Sequence, residues 1–194
     1  MKKIALLILL MTLPVFAMDR VGAGDTLRMS NYITGFYNLL TATSTPSTII
    51  DTAKVRIAVN EVLRTISESK YDAVPRRDTV ITTANVNLYA LNKDAINVVS
   101  VLVKSATKWV GIDSVDFTNI GFKVSERDAT PRQWASRGDG YLWLEPVNNT
   151  GDSLMVFYQA RANNLATDTT ISNVQGKYFE TAVGMVAAKL LGAK

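Results

Sequence analysis

The chain contains neither cysteine nor histidine. The first absence excludes disulfides and thiolate nucleophiles. The second excludes His-dependent triads, and the two together exclude His/Cys zinc sites. A chain without cysteine fits either redox compartment, so composition leaves the side of the membrane open. Charge of one sign is also scarce. Lys and Arg number 21 and Asp and Glu 17, a net +4. Lys2 and Lys3 supply part of that excess, and the remaining cations are scattered. Arg76-Arg77 is the only other adjacent basic pair and reads as a solvated loop beside a strand. Tight nucleic-acid binding usually needs a clustered basic face, and the order of residues shows none. Nor do aromatics interleave with a basic stripe as a stacking platform would require.

Motifs that carry chemistry are missing as well. There is no G-x-S-x-G, no phosphate-binding P-loop, no G-x-G-x-x-G and no Asp-x-Asp calcium loop. Val21-Gly22-Ala23-Gly24-Asp25 precedes no strand–helix unit and reads as flexible chain. Asp113 and Asp116 read as a solvated turn rather than a metal site. Arg137-Gly138-Asp139 and the formal sequon Asn148-Asn149-Thr150 both read as turns. The expectation is a protein without catalysis, cofactor or metal.

What is present is a globular composition. The 194 residues are 47% hydrophobic and 20% charged, enough for one domain with a sizeable core. One long apolar run stands out. Met1-Lys2-Lys3, then Ile4 to Met11 and Val15-Phe16-Ala17, has the form of a secretory signal peptide and is short for a membrane span. Met18 just after it could equally be the true start. Residues 1–17 are therefore read as a leader, signal-like or outside the true reading frame, and 18–194 as a single α+β domain.

Along that domain, Asp19 to Ser30 reads as irregular and Tyr32 to Leu40 as a short helix. Ser44 or Thr45 can cap a helix from about Pro46 to Ser69, with Pro46 in its first turn. Its apolar positions Val55, Val59, Val62 and Ile66 recur at helical spacing. Thr79 to Leu88 alternates as a half-buried strand, and Leu91 to Asp94 reads as a turn. Ile96 to Val103, Trp109 to Ile112 and Gly121 to Val124 are further strands. Arg127 to Arg137 reads as loop, with Trp134 tucked onto the core. Tyr141 to Gln159 reads as a β-hairpin around Asn148 to Asp152. Asn163 to Thr170 is linker, and Ile171 to Leu191 the last helix, with Ser172 as N-cap. The predicted fold is α+β: helices at about 46–69 and 171–191 flank an antiparallel sheet or small sandwich over about 79–159.

The order and wording of these segments resemble the head–tail adaptor (connector, or ring) proteins of tailed bacteriophages. Val59-Asn60-Glu61-Val62-Leu63-Arg64-Thr65-Ile66 is similar to the family's early helix. Asp78-Thr79-Val80 through Tyr89-Ala90-Leu91 is similar to its first strand. Gly140 to Pro146 with Leu154 to Tyr158 is similar to its hairpin. Leu165 and the helix bearing Tyr178 are similar to its closing segment. The resemblance implies a structural virion protein at the head–tail interface. Its copies would form a ring, typically dodecameric, that docks on the portal protein and receives tail or nozzle proteins. DNA would pass through the lumen without sequence-specific binding, and modest charge suits sliding. The candidate subunit or portal interface is the terminal helix: Tyr178, Met185, Lys189, Leu190, Leu191 and Lys194. The alternative, from the leader, is an exported periplasmic or cell-surface α+β binding protein.

Overall fold

The computed structural model describes residues 26–42, 50–116, 118, 130–136, 140–146 and 151–192. They form two compact units, one helical, up to Val74 and again from Ala162, and one of strands, Pro75–Arg161. The α+β class expected from sequence is the class observed.

In the helical unit, α1 spans Met29–Ala42 and buries Met29, Tyr32, Phe36 and Leu40, one stripe at three- and four-residue spacing. It starts three residues before the expected Tyr32, so Met29 and Ser30 are helical rather than irregular. α2 spans Thr52–Ser69 and buries Val55, Val59, Val62, Leu63 and Ile66. It begins later than expected. Asp51 has an extended backbone and its carboxylate accepts from the Ala53 N–H at 3.0 Å, so it is the N-cap. Pro46 is therefore not in the first turn of this helix; Ser44, Thr45 and Pro46 lie outside the described residues.

The last helix, α3, spans Phe179–Leu190 and follows a single 3-10 turn, Gly176–Tyr178. The expected start near Ser172 is corrected. Backbone groups there are already engaged: the Ser172 N–H donates to Leu27 O at 2.7 Å and the Gln175 N–H to Ala73 O at 2.9 Å. Ile171 pairs with Arg28 in an isolated bridge. The Ser172 hydroxyl accepts from the Val174 N–H, closing a local turn instead of capping a helix. α3 packs on both α1 and α2. Ala182, Val183, Val186 and Ala187 are buried, and their small side chains permit close approach. Tyr32 and Phe179 meet at 5.3 Å between ring centroids, a contact worth about 1 kcal/mol beyond its area.

The strand unit holds two four-stranded sheets. The first has the order β1-β8-β3-β4, from β1 (Pro75–Ile81), β3 (Ala95–Ser105), β4 (Lys108–Gly111) and β8 (Ser153–Ala160). The second has the order β2-β7-β6-β5, from β2 (Leu88–Ala90), β5 (Asp113–Ser114), β6 (Gln133–Ser136) and β7 (Tyr141–Glu145). All pairings are antiparallel except β5 with β6.

Three expectations change here. The strand read over Thr79 to Leu88 is two strands in different sheets. Between them the chain turns, with Asn85 at φ 60°. The Tyr89 hydroxyl staples that turn, accepting from the Thr83 N–H at 3.0 Å and donating to Val86 O at 2.7 Å. The Tyr141 to Gln159 segment supplies two strands but no hairpin. β8 pairs with β1 on one side and β3 on the other, so neither flank is open to β7. β7 pairs with β2 and β6 instead. The Arg127 to Arg137 loop contains β6, and Trp134, 5% exposed, is buried as expected. Gly121 to Val124 lies outside the described residues.

Register fixes the faces of the first sheet. Val101, Val103, Leu154, Val156 and Tyr158 point inward and are buried. Arg77 stands opposite Phe157, Thr79 opposite Met155, and Lys104 opposite Trp109, all on the outer face.

Candidate interface surfaces

The residues singled out by pattern turn out to hold the fold. Asn60, in the middle of α2, reaches the segment after β8. Its Oδ1 accepts from the Leu165 N–H at 2.8 Å, and its Nδ2 donates to Leu165 O at 3.4 Å. One amide thus satisfies both backbone groups of a residue whose side chain is buried. Tyr158 donates its hydroxyl to Asp78 Oδ2 at 2.8 Å, joining β8 to β1. Burial pushes the Tyr158 phenol well above its ordinary range, and the Asp78 carboxylate pushes it further. Tyr89 is raised by burial as well.

The terminal helix presents a mixed surface. Tyr178 precedes α3 and donates its hydroxyl to Asp72, and Lys177 bonds the same carboxylate. The Lys177 hydrogen bond, then that of Tyr178, holds the Asp72 carboxyl below the usual range; the same contact raises Tyr178. Met185 is exposed. Lys189 pairs with Glu61 of α2. Leu190 ends the helix and Leu191 is its C-cap; both are half-buried. Lys194 lies outside the described residues. Tyr178 and Lys189 therefore already serve contacts within their own unit. α2 adds an exposed Ile57, which helical spacing places in an apolar stripe expected to pack in the core, with a subunit interface as the alternative; packing shows it outside the core.

An open cleft of about 450 Å³ lies beside β3, β5 and β6, lined by Asn97, Val98, Ser114, Asp116, Trp134 and Ser136. Its one carboxylate is engaged locally. Asp116 Oδ1 accepts from the Thr118 N–H at 2.9 Å and from its hydroxyl at 2.7 Å, which lowers the Asp116 pKa. Asp113 opens β5, and its N–H donates to Arg132 O. Among the described residues no group of three or more His, Cys, Asp or Glu side chains could hold a metal, and no helix is long and apolar enough to cross a membrane.

Tyr89, Tyr158 and Tyr178, the last two with Asp78 and Asp72 as partners, join a turn, two strands and a helix start. A family model described as SU10 adaptor protein matches residues 37–191, so the chain belongs to this phage head–tail adaptor family. No curated protein matches it. Membership makes it a structural virion protein of the head–tail connection and implies association with portal and tail components. It gives no support to an exported binding protein.

Proposed function

We propose that copies of this chain form a ring, a dodecamer, seated between portal and tail, with residues 18–194 acting as one adaptor unit. The ring extends the DNA channel and offers its far side to tail or nozzle proteins. It performs no catalysis. The observation that carries the reading is the extent of the family match, which runs from α1 to the end of α3 and so includes both units. The proposed subunit or portal contact is the terminal helix, through Met185, Lys189, Leu190, Leu191 and Lys194, with Tyr178 at its start. Exposed Met185 and the nearby Glu61–Lys189 pair suit a mixed apolar and polar contact.

Truncation at Gly184 would remove Val186 and Ala187, both about 1% exposed, and so would strip the core rather than test docking. Point substitutions are cleaner. Sedimentation of the chain with purified portal should give a ring-sized complex, and Met185→Glu, at an exposed position, should weaken it without lowering the melting temperature. If wild-type chain and portal sediment separately under all conditions, the ring reading fails.

A further inference from the structure

Strand register brings together charges that lie far apart in sequence. On the outer face of the first sheet Arg77 stands directly across from Phe157, and Lys104 directly across from Trp109. Directly opposed residues in an antiparallel pair hold their Cβ atoms roughly 5 Å apart. Each cation stem thus has an aromatic ring beside it, and a long stem can lie on apolar surface while its head stays in water. Arg77 and Lys104 are exposed, and Trp109 is 39% exposed. The β3–β4 hairpin is exposed at every residue from Lys104 to Gly111, but Lys108 stands opposite Ser105 and so takes the other side. The strand positions that share this face hold no carboxylate. Asp78, the acidic residue of β1, has the opposite parity and is bonded to Tyr158.

We propose that this face contacts the phosphate backbone of duplex DNA. It rests on the channel reading for the source of the DNA, and it names the wall that the DNA meets. Two cations on strand positions that hold no carboxylate complement a polyanion. The cations are few, so each copy binds weakly and without sequence preference, as a sliding contact needs. Two phosphates neutralised per copy correspond to a salt slope, d log K/d log[salt], of roughly −1.8 for duplex DNA.

The test is fluorescence anisotropy of a labelled 30-base-pair duplex titrated with the full chain over a range of salt. Wild type should bind at low salt with a slope of roughly −1.8. Arg77→Gln/Lys104→Gln should lose most of that slope and bind at least about tenfold more weakly at low salt. Lys104→Gln alone changes only the exposed hairpin, and should fall between the two if the double variant folds poorly. No binding by wild type, equal binding by the variants, or tighter binding to a single strand than to the duplex would overturn the proposal. So would variants that bind duplex normally but no longer join the portal, which would make the face a protein contact. Failure of the ring reading shows separately, as absence of a portal complex, whereas this proposal is read on the isolated chain.

Discussion

Replacing Asn60 by Ala removes the side chain that satisfies Leu165. The 2.8 Å bond from the Leu165 N–H is the strong one, and the 3.4 Å bond to its carbonyl is near the limit of a hydrogen bond. An unpaired buried donor costs about 2 kcal/mol. The weak carbonyl contact adds little. Against this, Ala is the better helix former by up to roughly 0.7 kcal/mol. The net loss is about 1.5 kcal/mol. For a chain of this size each kcal/mol shifts the midpoint by about 2–4 °C, so Asn60→Ala should melt about 3–6 °C lower by circular dichroism. Hydrogen exchange gives the local readout: the Leu165 amide should exchange about tenfold faster, since 1.4 kcal/mol is a factor of ten. Arg64→Ala, an exposed change on the same helix, should move the midpoint by little, because the Arg64–Glu68 pair spans one turn at the surface. The reasoning fails if Asn60→Ala melts at or above wild type, or if Leu165 protection is unchanged.

Three further outcomes follow from single contacts. Tyr158→Phe deprives Asp78 of a buried donor and should cost about 2 kcal/mol at neutral pH, read by urea unfolding. Because the folded Tyr158 pKa is raised, its contribution is full below about 10 and is lost as pH climbs toward the folded value, so the variant's stability should fall less steeply above pH 10; equal slopes would refute the pairing. The folded Asp72 pKa is lowered, so its contribution is present above the ordinary carboxylate range and disappears as pH falls through the folded value. Lys177→Ala should raise the Asp72 midpoint in a carboxyl NMR titration, and an unmoved midpoint would show that Lys177 is not its main partner. Ala106 sits at φ 50° in the β3–β4 turn. Ala106→Gly should leave stability unchanged or slightly higher, while Ala106→Val should cost more than about 1 kcal/mol, because a β-branched residue tolerates positive φ poorly.

Helices and strands were largely legible because burial imprints its period on sequence. Val55, Val59, Val62 and Ile66 repeat at helical spacing and are all buried. Strand partners were less legible. Tyr141 to Glu145 and Ser153 to Ala160 read correctly as strands, but the turn-like residues between them suggested a hairpin, and only the occupation of both β8 flanks shows otherwise. The alternation from Thr79 to Leu88 ran through a turn because Thr, Ala and Asn happened to continue the period. β6 is four residues long, too short for a period, and its one signal was Trp134. α3 began late because Ser172 looks like a cap while its backbone is already bonded to Leu27. The basic face was invisible for a related reason. Arg77, Lys104, Trp109 and Phe157 share a side only once register fixes their parity. Asn60, by contrast, was visible within a helix pattern, but its partner 105 positions away was not.

Cryo-electron microscopy of the neck of mature particles tests the central reading most directly. A closed ring of this chain stacked on the portal, with its helical unit and both sheets traceable in each copy, is the expected result. Density between portal and tail that this chain cannot fit, or particles that lack it altogether, would contradict the adaptor reading.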